Sequence, residues 1–234
     1  MTHIIKDEKM NELHQTEQKS GSDCEKYDPM DEQKARAFDK TASTIFAPIY
    51  PVIADQILER THIRKGTVLD AGCGPAHLSM ALAQASDLRI YAFDTSPMML
   101  QIAYEHITDA GLVRRIVPVL GDIHDLPFED GTIDLVVSRG SWFFWEDLQG
   151  AFREIYRVLS PGGVTYIGGG FGNSALKEAI HTAMAEKDPE FSKGVSNRMM
   201  RNNPDRIRGE LEKAEIRSYE LIQDDSGFWL MMKK

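Results

Sequence analysis

Cysteine is nearly absent, with Cys24 and Cys73 the only two in 234 residues. One thiol in a polar N-terminal stretch and one inside a glycine-rich turn exclude a disulfide framework and offer no metal-ligand spacing, so a reducing compartment is expected. Basic residues are in deficit, 27 Lys and Arg against 36 Asp and Glu, which gives a formal net charge of −9 and a pI near 5.3. That balance speaks against electrostatic capture of nucleic acid or anionic lipid, since both call for a basic face. No uncharged run reaches membrane-spanning length, and the opening MTHIIKDEKMNELHQTEQKSGSDCEKYD lacks the unbroken apolar core of a signal peptide. The expectation is a cytoplasmic protein with a small-molecule partner, no nucleic acid and no membrane. The sequence carries no signal of oligomeric state.

What is present is an ordered alternation. Residues 1–28 are polar and read as a tail that cannot bury enough surface to order itself. From Asp31 to Glu59 apolar residues recur at helical spacing, with Pro48 and Pro51 expected to break the run into two helices, a unit assigned to 29–60. Strands are expected at 67–71, 89–94, 115–122, 132–138 and 163–169, and helices at 76–86, 97–110 and 147–159. Apolar strands alternating with helices predict an α/β fold, a doubly wound and mostly parallel sheet with helices on both faces. Beyond Phe171 come a helix at 173–187, a polar Asn- and Arg-rich loop and a helix at 205–214, with 172–204 as an insertion. The runs RSYELIQ and GFWLMMK then read as an antiparallel hairpin.

In such a sheet, ligands collect beyond the carboxyl ends of the strands where strand order reverses. The stretch VLDAGCGPAH sets Asp70, Gly72 and Gly74 in a sharp strand-to-helix turn, where glycine lets the backbone approach a ligand. Asp94 closes the second strand, Asp122 the third, and Ser138 with Arg139 the fourth. An acid two dozen residues beyond the turn suits paired ribose hydroxyls, the reading preferred over Asp94 as the cap of the next helix. A dinucleotide is disfavoured because His77 occupies the place of a small residue, and no Gly-Lys-Ser or Gly-Lys-Thr marks a P-loop.

These segments resemble the class I S-adenosylmethionine-dependent methyltransferases, in particular the small-molecule branch that includes the quinone-biosynthesis enzymes. The first motif, acid-x-Gly-x-Gly-x-Gly, is matched by Asp70, Gly72 and Gly74, with Ala76 in place of the last glycine. FDTSPMML at 93–100, GDIHDLPFEDGTIDLVVS at 121–138 and REIYRVLSPGG at 153–163 follow in the family's order, so the resemblance covers about residues 65–170. It implies a seven-stranded sheet, S-adenosyl-L-methionine as cofactor, and methyl transfer to a small metabolite of apolar or aromatic character. It further implies that Asp70 to Gly74 cradle the methionine part, Asp94 the ribose, and Asp122 and the Ile123 amide the adenine. Thr95 and Met99 would line the adenosine pocket with Ser138 nearby, and FDKTA at 38–42 would belong to a helical lid. A catalytic base is optional, because the sulfonium already activates the methyl group.

Tyr50, Trp142, Phe143 and Phe171 are the candidate walls of the acceptor site. The bland reading of the aromatics in SWFFW is core packing. The glycines of GGGFG could form only a tight strand exit, or could let a substrate press against backbone. His77 and His124 read as lone surface or capping histidines, and the basic segment from Lys193 to Arg208 as a solvated face. The rival reading is a non-enzymatic sensor or docking module that holds S-adenosylmethionine or its demethylated product.

Overall fold

The computed structural model describes residues 31–234, so the expected polar tail at 1–28 lies outside the described residues. Helix α1 (Glu32–Thr44) starts at Asp31, whose side chain accepts from the Lys34 amide, and α2 (Ile49–Thr61) follows. Pro51 does not break the chain as expected. It sits in the first turn of α2, where a missing N–H costs nothing, and only the 45–48 stretch separates the helices.

The strands are β1 (Lys65–Ala71), β2 (Asp87–Asp94), β3 (Ile116–Leu120), β4 (Ile133–Arg139), β5 (Leu159–Gly169), β6 (Tyr219–Asp224) and β7 (Gly227–Met232). They form one sheet in the order β3-β2-β1-β4-β5-β7-β6, so strand order reverses between β1 and β4. The first five strands run parallel, while β7 pairs antiparallel with both β5 and β6. β5 starts earlier than its apolar run suggests, because Leu159 already pairs with Ile133 across a register shift.

Side chains alternate between the faces of the sheet, as the period of two requires. Val68, Ile90, Leu135 and Tyr166 join one core with α2, α3 (His77–Ala85) and α4 (Pro97–Asp109). Leu69, Phe93, Val136 and Ile167 join the other with α5 (Leu148–Val158). α5 shows how pattern fixes placement: Leu148, Ala151, Phe152, Ile155 and Val158 form one buried stripe, and Asp147 caps the helix by accepting from the Gly150 amide.

After β5 come α6 (Ser174–Lys187), α7 (Phe191–Arg201) and α8 (Pro204–Lys213). Most of the expected polar loop is therefore the helix α7. None of its residues is fully buried, so the apolar periodicity that marks a helix in sequence is weak there. The basic segment is largely a solvated face, with Lys193 paired to Glu190 and Arg208 to Asp205. No helix among the described residues is long and apolar enough to cross a membrane.

Candidate active site

Short backbone bonds gather the strand tips. The Gly72 and Cys73 amides both donate to the Phe93 carbonyl, at 2.8 and 3.0 Å. Asp94 then spans the gap: one carboxylate oxygen accepts from the Gly74 amide at 2.8 Å, the other from the Ser96 amide at 3.0 Å. Asp94 is not the helix cap; Ser96 is, its hydroxyl accepting from the Met99 amide. The Gly121 amide donates to the Asp94 carbonyl at 3.1 Å, which brings the β3 end and Asp122 alongside.

The turn needs its glycines for different reasons. At Gly72, with φ at +72°, an added Cβ would lie 2.2 Å from Ser141 Cβ. At Gly74, with φ at +52°, the nearest atom would be the Phe38 ring at 3.6 Å, so the turn opens toward the lid helix α1. Ala76 adopts φ +63°, a left-handed conformation that costs a non-glycine residue roughly 1–2 kcal/mol, and this is where the resembled motif has glycine.

Asp70 turns away from the opening. It is 1% exposed, and its carboxylate accepts from the Ser79 hydroxyl at 2.6 Å beneath the turn. Burial raises its pKa to about 7, the Ser79 bond opposing and the Asp94 charge adding to the shift. Met99 and Ile123 are also buried, whereas Thr95 is exposed. Asp122 remains partly open and accepts from the His124 amide at 2.9 Å. His124 is thus no lone histidine, since its Nδ1 faces the same oxygen. Cys73 behaves as a packing residue, its thiol pKa pushed well up by burial.

The β4 side is built differently. Ser138 is fully buried, its hydroxyl 2.6 Å from that of Ser141, which donates to the Ala71 carbonyl at 2.8 Å. It ties β4 to β1 and does not reach the surface of the crevice. Trp142 is likewise core, packed between Phe143 and Phe228 and absent from the cavity wall. Phe143 and Phe171 do line a cavity of about 460 Å³, joined by Phe38 and Phe46 from the lid side and by Phe144, Phe191 and Arg139. Tyr50 lies outside that lining, stacked on His77 with ring centres 5.2 Å apart, its phenol pKa raised by burial and opposed by the Arg139 charge. In the glycine run, added Cβ atoms would lie 2.1 Å from the Phe228 carbonyl oxygen at Gly168 and 1.9 Å from that of Ser226 at Gly170. The close approach of β5 to β7 therefore requires them, and Gly169 and Gly170 alone of the run's glycines also face the cavity.

One cluster escaped the sequence because its members are far apart in the chain. Asp39 of the lid faces His77 Nε2 at 3.1 Å and His106 Nε2 at 3.0 Å, and the three candidate ligand atoms lie within 4.8 Å of one another. Burial holds the His77 pKa below its ordinary value, with Asp39 opposing. With the Arg36–Glu105 pair at 3.1 Å, these contacts latch α1 onto α3 and α4.

Residues 69–167 match the family described as a methyltransferase domain. A solved structure from Methanococcus maripaludis, described as a candidate S-adenosyl-L-methionine-dependent methyltransferase, is 47% identical over 88% of this chain and 94% of its own, with a TM-score of 0.86. The chain belongs to the S-adenosylmethionine-dependent methyltransferases. S-adenosyl-L-methionine is accordingly the cofactor of this methyltransferase. Among curated relatives, the demethylmenaquinone methyltransferase of Listeria monocytogenes is 30% identical over 59% of this chain and 60% of its own. An arginine-hydroxylase of Danio rerio mitochondria is 30% identical over 70% of this chain and 52% of its own. The methyltransferase spans 32% to 60% of the length of the first curated relatives it matches.

Proposed function

We propose that this methyltransferase moves the methyl group of S-adenosylmethionine to a small metabolite with apolar or aromatic character. The observation that carries the reading is that Phe38, whose ring would lie 3.6 Å from a Cβ at Gly74 of the turn, also lines the aromatic cavity beyond the tips of β4 and β5. The residues present fit the cofactor. The bare backbone of Gly74 lets a ligand approach the turn on the side that faces Phe38, and the two carboxylate oxygens of Asp94 offer about four lone-pair sites for ribose hydroxyls as well as backbone amides. Asp122 and the Ile123 amide would meet the adenine, with Thr95 and Met99 beside it. Asp70 would act from beneath, by fixing the turn through Ser79.

When bound, the cofactor supplies a methyl group already activated by a sulfonium. The chain's own task is then orientation and exclusion of water, which suffice for a large part of such a rate enhancement. Phe143 and Phe171 would flank the acceptor, and the latched α1 would cover it. The quinone-methylating relative supports an apolar acceptor, while the arginine-hydroxylase relative marks a second chemistry reached from similar sequence.

Calorimetry with S-adenosylhomocysteine and a turnover panel of small apolar metabolites test the reading together. Binding of the product and its release from S-adenosylmethionine with at least one acceptor are expected. A folded protein that does not bind the cofactor overturns the reading. Binding without turnover on any acceptor favours the sensor or docking module.

A further inference from the structure

The cavity holds a charge that the fold does not neutralise. Arg139 ends β4, and its guanidinium carbon lies 5.4 Å from the Phe46 ring centre and 5.6 Å from that of Phe171. Its Nε and Nη2 both donate to the Gly170 carbonyl, at 3.3 and 3.2 Å. Among the described residues it forms no ion pair, and Nη1 has no hydrogen-bond partner.

The neighbouring acids do not fill the gap. Asp224, on the cavity rim, is engaged by Arg60 at 2.7 Å and by Ser226; Asp225, also in the lining, is exposed and forms no ion pair with Arg139, while Lys177 and Arg198 add further positive charge. A purely structural role would leave the guanidinium resting on two rings and one carbonyl. Such contacts return less than it costs to take the ion out of water, and an anion in the cavity would offset the difference.

We propose that Arg139 anchors a carboxylate carried by the methyl acceptor, which makes the substrate an apolar or aromatic acid. The Gly170 carbonyl uses the Nε–Nη2 edge of the fork, and the Nη1–Nη2 edge, through the second hydrogen of Nη2, is left for two coplanar oxygens, the geometry in which arginine holds a carboxylate. Phe143 and Phe144 would take the apolar body. The inference rests on the cavity being the acceptor site of the proposed transfer.

The test uses the full chain saturated with S-adenosylhomocysteine. Matched pairs of probes, such as phenylacetate with phenylacetamide and indole-3-acetate with its amide, are titrated by calorimetry and by ligand-observed NMR. The acids should bind about ten- to a hundredfold more tightly than their amides, the contribution of a charge-assisted hydrogen bond. Arg139→Gln should abolish that preference, and Arg139→Lys should retain part of it. Arg139→Met should melt no lower than the unsubstituted protein without ligand, because it removes an unpaired charge. Equal affinity for acid and amide in the unsubstituted protein, or no binding of either, overturns the anchor whether or not the variants fold. So does a preference that survives Arg139→Gln. Product binding is measured in the same samples: its loss would sink the methyl-transfer reading, whereas acid–amide equality with product binding intact sinks only the anchor.

Discussion

On the β1–β2 side of the crevice, the turn amides, Asp94 and Ser96 are joined by bonds of 2.8 to 3.0 Å, so the chain itself holds that surface in shape. On the β4–β5 side, the cavity is walled by aromatic rings, Arg139 lacks an acid, and Phe144 is 71% exposed. A surface built from backbone accepts one ligand shape and tolerates little change. A surface built from side chains can be altered without disturbing the sheet, which is where enzymes of one fold diverge in substrate. The cofactor side should therefore be brittle and the acceptor side forgiving.

Gly72→Ala should break the brittle half most severely. It adds left-handed strain and a collision with Ser141, about 2 to 5 kcal/mol together, readable as a lower urea midpoint and loss of product binding. A fully stable Gly72→Ala protein would contradict the comparison. Asp70→Asn comes next. The folded carboxyl titrates near 7 against 3.8 unfolded, so its contribution to stability is fully present below about pH 4 and fades as the pH rises through 7. The asparagine variant should therefore gain on the unsubstituted protein across that window, by on the order of 3 kcal/mol at its alkaline end. A gap that does not change with pH would show that burial is not what sets this residue.

Asp94→Ala removes the acceptor for two amides and the proposed ribose partner, and product affinity by calorimetry should fall about tenfold or more. The smallest effect belongs to the other half. Phe144→Ser should change the unfolding free energy by less than about 0.5 kcal/mol while raising the acceptor KM, since the ring is exposed and lines the cavity. A large loss of stability there would erase the distinction between the two sides.

Much of the first half was legible in sequence. The glycines, the strand-end acids and the apolar alternation are local signals, each written within a dozen residues. What was misread lay where local pattern is silent. Trp142 and Ser138 stand next to true cavity residues, yet both are buried, because the turn at 142–144 sends Phe143 to the cavity and the indole into the core. Helix α7 lacked a buried stripe and read as loop. His77 looked solitary because Asp39 reaches it from α1 and His106 from α4, both far from it in the chain.

By itself, the sequence determined the order of strands and helices as far as β5, the place of the glycine bend and the acids at the strand ends, since periodicity and dihedral preference act over neighbouring residues. Only the tertiary structure decided which of those side chains meet. It turned Asp70 inward, set Phe46, Phe171 and Phe191 around one cavity, and left Arg139 there without an acid, because burial and pairing depend on contacts between segments far apart in the chain.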